Sequence, residues 1–217
     1  MKTVSFTIDG KKLTARAGTT VLRAARDNGI YIPNLCAIGD KKPEASCRLC
    51  FVAIAGRKAP VTACTETVAE GMAVNTGETK VLSLVRAGFE LIMASHPVDC
   101  AHCSANHACE LQKIARHLGG SLKPKNLRKL LRELPVDDSN PAFTYDPNKC
   151  VACGRCVWVC RQHHQTVLGM AHRGFKRRVT TFADEPIGTR CLECGGCVKV
   201  CPTGALALKS KEKPIKR

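Results

Sequence analysis

Fifteen cysteines and one histidine of this 217-residue chain sort into four sets of four candidate metal ligands. Cys36, Cys47, Cys50 and Cys64 form the first set, and His96, Cys100, Cys103 and Cys109 the second. Cys150, Cys153, Cys156 and Cys160 form one tight run, and Cys191, Cys194, Cys197 and Cys201 another. Both runs have the spacing C-x2-C-x2-C-x3-C, and Pro202 follows the second. Three cysteines at two-residue gaps can wrap one iron–sulfur cube, while the fourth lies on the following helix and reaches a neighbouring cube. The expected sets are therefore crossed: Cys150, Cys153 and Cys156 with Cys201, and Cys191, Cys194 and Cys197 with Cys160.

Two other uses of cysteine fit less well. Disulfides are awkward with an odd count of fifteen, and Met1 to Gly10 lacks the apolar core of a secretory signal. Dense cysteine in a reducing cytoplasm points to metal, and a cytoplasmic location is expected here. Zinc is the stronger rival, because paired C-x2-C also builds zinc ribbons. Zinc sites use two separated pairs, whereas three cysteines at two-residue gaps with a fourth three residues on occur here twice.

The first set is spaced C-x10-C-x2-C-x13-C. Its C-x2-C pair is shared with plant-type [2Fe–2S] ferredoxins, whose first gap is shorter. The second set is spaced H-x3-C-x2-C-x5-C. His102 and His107 lie in the same loop and compete with His96 for the fourth position. His96 is favoured because it ends the preceding helix just before the cysteines. Imidazole in place of a thiolate lowers the negative charge of such a site and shifts its potential. His163, His164 and His172 read as surface residues, and Trp158 as a small-core residue beside a cluster. Gly154, Gly195 and Gly196 suit places where backbone passes close to a cluster.

Around these ligands the chain shows thin cores. Aromatics are only 4% of the residues, and small domains of that kind commonly depend on metal to fold. The formal charge of +16 counts cysteines as neutral. Bound clusters would contribute about −7 in total and leave roughly +9. The basic excess gathers at Lys123 to Arg132, Arg173 to Arg178 and Lys209 to Arg217. These segments read as solvated faces, or as docking sites for an acidic partner protein. No basic stretch carries the stacking aromatics of a nucleic-acid binder, and no apolar run is long enough to span a membrane. The chain has no G-x-G-x-x-G after a strand, no P-loop and no recognisable catalytic triad.

The elements follow from periodicity. Val4, Phe6 and Ile8 alternate with polar residues, Asp9-Gly10 turns, and Lys12 to Arg16 returns, which predicts a hairpin. Thr19 or Thr20 caps a helix running to about Asn28, with Gly29 as its stop. Strands are expected at Phe51 to Ile54, entering Cys64, and over Val68 to Val74. That combination is a β-grasp. Helical periodicity covers Glu78 to Ser95, and Cys109 opens a second helix ending at Gly119-Gly120. A charged linker with a helical turn or two near Leu127 to Leu134 leads into Phe143 to Leu208, an internal duplication. The predicted class is α+β, in series: a β-grasp [2Fe–2S] domain over 1–77, a small helical His/Cys3 [4Fe–4S] domain over 78–120, a linker over 121–141, a two-cluster ferredoxin domain over 142–208, and a basic tail over 209–217.

In this order the motifs resemble the N-terminal iron–sulfur region of the large electron-transfer subunit of respiratory complex I. They resemble still more closely the same region of modular [FeFe]-hydrogenases. The small diaphorase subunit of NAD-linked [NiFe]-hydrogenases and NAD(P)-linked formate dehydrogenases share this ancestry. The resemblance covers residues 1 to 208 and all sixteen ligand positions. It implies one [2Fe–2S] and three [4Fe–4S] clusters. The hydrogenase relatives continue into an H-cluster domain, and formate dehydrogenases into a molybdenum or tungsten domain. The resemblance is therefore to a stand-alone electron-transfer subunit with no catalysis of its own. Its implied partners are an FMN-containing NADH-binding subunit and a catalytic subunit acting on H2, formate or NADPH. Ferredoxin is a further candidate if the complex is electron-bifurcating, since an exposed paired module can accept low-potential electrons. A free-standing polyferredoxin shuttle is the alternative.

Overall fold

The computed structural model describes residues 2–124, 126–163 and 165–209. Lys125, His164 and residues 210–217 of the basic tail lie outside them. The chain divides into two compact units, one of Met1–Met93 with Ile114–Arg128, the other of Ala94–Lys113 with Lys129–Arg217.

In the first unit, β1 (Thr3–Ile8) pairs antiparallel with β2 (Lys11–Arg16), in a register that sets Phe6 opposite Leu13. The turn is Asp9-Gly10, with both residues in the left-handed region at φ 50° and 79°. That is the conformation a two-residue hairpin needs to match strand twist, and glycine reaches it without strain. α1 (Val21–Asp27) starts at Thr20, whose hydroxyl accepts from Arg23 N at 3.2 Å. It ends where Ile30 N donates back to Ala25 O across the left-handed Gly29.

β3 (Phe51–Ile54), β4 (Val61–Thr62) and β5 (Ala73–Asn75) complete a five-stranded sheet in the order β2-β1-β5-β3-β4. β5 lies parallel to β1 and antiparallel to β3. The strand expected over Val68 to Val74 is thus confined to its C-terminal end. Val4, Phe6, Ile8, Leu22, Ala25, Val52 and Val74 form one core with Cys50 and Cys64 at its edge. The alternation of β1 therefore puts the sheet's apolar face against α1 and beside the cysteine loop. α2 (Thr79–Ala94) and α3 (Glu110–His117) follow. Gly88 of α2 permits close approach, because a Cβ there would stand 2.9 Å from Arg48 O.

β6 (Phe143–Tyr145) of the second unit is preceded by a segment without regular secondary structure, not by the helical turn expected near Leu127 to Leu134. Pro135 disfavours helical backbone at Leu134. Distant partners then anchor the segment: Asn148 brackets both backbone groups of Leu134 at 2.8 and 2.9 Å, and Asp137 pairs with Tyr145 as an antiparallel bridge. Arg132 is similarly engaged, donating to Arg177 O, Pro147 O and Cys150 O at 3.2, 3.0 and 2.9 Å.

α4 (Arg155–Gln162) begins inside the first cysteine run and carries Cys156 and Cys160. The chain between the runs forms a hairpin of β7 (Gly169–Ala171) and β8 (Arg178–Thr180). α5 (Gly196–Val200) carries Cys197, and β9 (Leu206–Leu208) returns antiparallel to β6. The duplication appears in backbone angles. Ala152 and Glu193, each two residues past the first cysteine of a run, are left-handed, as are the N-caps Gly154 and Gly195. α4 and α5 touch closely at Gly196, where a Cβ would meet Val159 Cγ1 at 2.8 Å. No helix among the described residues is long and apolar enough to cross a membrane.

Candidate metal centres

Cys36, Cys50 and Cys64 are buried and Cys47 is half-buried, on a loop and strand ends of the first unit. Cys36 Sγ lies 3.4 Å from Cys47 Sγ, and Cys50 hydrogen-bonds Cys64. These contacts split the thiols in each pair. Hydrogen bonding from Cys47 pulls Cys36 down to about 5, and the same contact together with burial pushes Cys47 up. Cys64 is lowered and Cys50 raised by their mutual bond. Cys47 acts on Cys50, and Cys36 on Cys64, so the four sulfurs form one electrostatic group. Leu35 N lies 3.5 Å from Cys47 Sγ, Ser46 bonds Cys36, and Ala45 N bonds Cys64. Ala45 and Arg48 of this loop are left-handed. The sequence carries no signal for Ser46 beyond its place in the loop.

In the second set, burial raises Cys109, which also feels Cys103 and Cys100. The three competing histidines separate clearly. The His102 side chain is 84% exposed and its Nδ1 pairs with Asp99 at 2.9 Å. His107 is exposed. Among the described residues, His96 Nδ1 is buried without a hydrogen-bond partner. Burial, then the Lys149 charge, push His96 down to about 4, so its ring is neutral and able to act as a ligand. An orphaned buried ring nitrogen is what a metal group would satisfy. Pro202–Gly204 backs this loop. Glu110 N donates to Pro202 O at 2.9 Å, and a Cβ on Gly204 would stand only 2.4 Å from Cys103 Sγ.

One cavity is lined by Cys150, Cys153, Cys156 and Cys201 together, with Gly154, Pro202 and Tyr145 among its other walls. Burial raises all three of its run cysteines, Cys153 to about 11. Burial, then Cys191, Cys194 and Cys160, push Cys197 up to about 12. Cys201 thus lines one cavity with the first run, and Cys197 of the second run feels the Cys160 charge. Cys194 is exposed, and Cys156 also feels Cys197 across the two groups. Thiols this costly to ionise in one another's company become stable thiolates on iron, which supplies the missing positive charge. The donor sets thus fit iron–sulfur clusters, whose chemistry is one-electron storage and release. Among the described residues no three His, Cys, Asp or Glu side chains close on a single metal ion. Trp158 is half-buried on α4, and His163 and His172 are exposed; His164 lies outside the described residues.

Comparison with known proteins finds three family matches along the chain. Residues 1–79 match the family model of a 2Fe-2S iron-sulfur cluster binding domain. Residues 86–121 match the NADH-ubiquinone oxidoreductase-G iron-sulfur binding region, and residues 149–205 a 4Fe-4S dicluster domain. The NADPH-Fe(3+) oxidoreductase subunit alpha of Geobacter sulfurreducens is 38% identical over 95% of this chain, which spans 24% of that relative. The NADP-reducing hydrogenase subunit HndD of Solidesulfovibrio fructosivorans is 35% identical over 95% of the chain, which spans 36% of it. The chain thus covers only about a quarter to a third of the length of these two relatives. The NAD-reducing hydrogenase HoxS subunit gamma of Cupriavidus necator is 28% identical, with 95% of this chain and 87% of that subunit aligned. A chain in the crystal structure of an NAD+-reducing [NiFe]-hydrogenase in the H2-reduced state superposes with TM-score 0.87 at 28% identity, covering 98% of this chain and 90% of its own. The chain thus carries a 2Fe-2S domain, an NADH-ubiquinone oxidoreductase-G iron-sulfur region and a 4Fe-4S dicluster domain in series along a mixed α/β fold, and is similar over nearly its whole length to the G subunits of NADH-quinone oxidoreductases and to subunits of NAD(P)-reducing hydrogenases.

Proposed function

We propose that the chain is an electron-transfer subunit of an NAD(P)-linked oxidoreductase complex. It relays electrons between a flavin-containing NADH-binding subunit and a catalytic subunit or ferredoxin. In this reading the first five strands form a β-grasp domain whose Cys36, Cys47, Cys50 and Cys64 hold one [2Fe–2S] cluster. His96, Cys100, Cys103 and Cys109 hold a [4Fe–4S] cluster, and the crossed sets Cys150/Cys153/Cys156/Cys201 and Cys191/Cys194/Cys197/Cys160 hold two more.

The observation that carries the reading is the segment Cys201–Gly204. One end is a cysteine lining the first ferredoxin cavity, and the other presses on Cys103 with no room for a side chain. Thr203 ties it down by donating to Lys149 O at 3.0 Å. Such a segment supports a short path between two centres, covalent from Cys201 to Gly204 and completed by a packing contact with Cys103, which suits a fixed relay. The exposed Cys194 supports the last group as the one that meets a redox partner.

Anaerobic purification of the native complex tests this. The expected result is a stable flavoprotein partner, about fourteen irons per chain (from one [2Fe–2S] and three [4Fe–4S] clusters), and NADH reduction of these centres only with that partner present. A monomer that never co-purifies with a flavoprotein would favour a free shuttle. Near eight irons, or abundant zinc, would refute the cluster assignment.

A further inference from the structure

The hairpin of β7 and β8 is fixed at one end and free at the other. Its stem pairs Gly169 with Thr180, Met170 with Val179 and Ala171 with Arg178. Val179 is 2% exposed and lines the cavity of Cys150, Cys153, Cys156 and Cys201. The Tyr145 hydroxyl donates to Val179 O at 3.1 Å, and Arg132 Nη1 donates to Arg177 O at 3.2 Å. The tip, from His172 to Lys176, is exposed throughout. Its backbone is nonetheless defined. Gly174–Lys176 forms a 3-10 turn in which Arg177 N donates to Gly174 O at 3.1 Å. His172 and Gly174 are left-handed, at φ 61° and 54°. Phe175 stands on this turn at 54% exposure. It is four residues from Val179, so the tip lies at most about 14 Å from the cavity wall.

The tip is cationic with no acidic counterweight of its own. No Asp or Glu occurs between Asp146 and Asp184. Arg178 pairs with Asp184 at 3.1 Å, on the stem. Arg173 and Lys176 form no ion pair among the described residues. The other basic segments are built differently: Lys123 to Arg132 has no regular structure among the described residues, and the tail lies almost wholly outside them. We propose that the hairpin tip, His172 to Lys176, is a docking element for an acidic surface of the redox partner protein that meets the paired ferredoxin module. The proposal rests on the reading that the chain relays electrons within a complex. Arg173 and Lys176 steer the approach and select an acidic surface, because like charges brought together cost binding. Phe175 supplies the anchor, an aromatic ring that loses water in a pocket of the partner. The stem holds the docked surface at a fixed place relative to the cavity wall, which a flexible charged tail would not do. A second copy of this chain is a poor occupant, since it carries the same positive excess.

The experiment uses the native complex, purified anaerobically and treated with a carbodiimide, which joins an amine to a carboxylate in direct contact. Mass spectrometry should find Lys176 joined to an Asp or Glu of a redox partner chain. Lys176→Arg keeps the charge and should keep the complex while that link disappears. Reversing both charges, Arg173→Glu with Lys176→Glu, should slow association with that partner by about tenfold or more and flatten its salt dependence. Phe175→Ala should instead speed dissociation. All three side chains are exposed, so iron content and cluster spectra should match the parent. An intact complex in which Lys176 is unlinked and freely acetylated would overturn the proposal. So would a link only to a second copy of this chain. A labelled DNA duplex that binds the parent at about 0.15 M salt, and not the charge-reversed variant, would overturn it in favour of nucleic acid. Failure of the underlying reading looks different: the chain would purify alone, with no other protein linked to any of its lysines, and the docking element would fall with it.

Discussion

Replacing Gly204 by alanine would press one methyl group into the second candidate centre. The new Cβ would stand 2.4 Å from Cys103 Sγ, 3.4 Å from Ser104 Oγ and 3.6 Å from Ala105 Cβ. Ordinary van der Waals contact begins near 3.4 Å, so the methyl and the sulfur must separate by about 1 Å. Gly204 is not among the glycines with positive φ, so the backbone itself would accept alanine. The penalty is steric. If the segment retreats, it gives up Glu110 N→Pro202 O and Thr203 Oγ1→Lys149 O, bonds worth about 0.5–1.5 kcal/mol each. If it holds, Cys103 is pushed from its place. Overpacking of this kind costs about 1–3 kcal/mol. For a chain of this size that lowers Tm by roughly 2–4 °C per kcal/mol. The assay is thermal unfolding of the cluster-loaded protein, with EPR of the individual centres. The His96-containing centre should be altered or lost first, ahead of the cluster held by Cys191, Cys194 and Cys197. Gly120→Ala is the control, since a Cβ there meets nothing within 4 Å. Unchanged stability and an unchanged spectrum in Gly204→Ala would refute the contact and the relay segment built on it.

Three further outcomes are expected. His96→Cys should keep a [4Fe–4S] centre and lower its potential, because thiolate adds about one negative charge where imidazole was neutral; His102→Ala and His107→Ala should leave the potentials where they are, and the reverse pattern would reassign the ligand. Cys160→Ser should damage the centre whose other ligands are Cys191, Cys194 and Cys197, while Cys201→Ser should damage the one held by Cys150, Cys153 and Cys156. Site-selective Mössbauer or EPR decides that case, and uncrossed loss in both variants would sink the crossed arrangement. Thr20→Ala removes the α1 cap seen at 3.2 Å and should cost about 1 kcal/mol, measured by denaturant unfolding of the loaded protein, without shifting any midpoint.

Much of the chemistry was legible from one dimension. Ligand spacing is a local property: three cysteines at two-residue gaps reach one cube whatever surrounds them. The hairpin of β1 and β2 was legible because alternation and Asp9-Gly10 act over a few residues, and α1, α2 and α3 because apolar periodicity and caps do so as well. Which of the three histidines near Cys100, Cys103 and Cys109 in sequence is buried is different. His96, His102 and His107 are equivalent as residue types, and burial distinguishes them only once the rest of the second unit is in place. The run Leu127 to Leu134 has helical composition, but hydrogen bonds of Leu134 and Arg132 to partners 14 to 45 residues away anchor it without a helix. Gly204 against Cys103 and the Tyr145 hydroxyl on Val179 O left no trace in any short window. Each contact joins residues far apart in the chain. Spacing and periodicity thus determined which residues can bind metal and which segments fold locally, whereas the pairing of distant elements decided which groups surround each centre and how they set its properties.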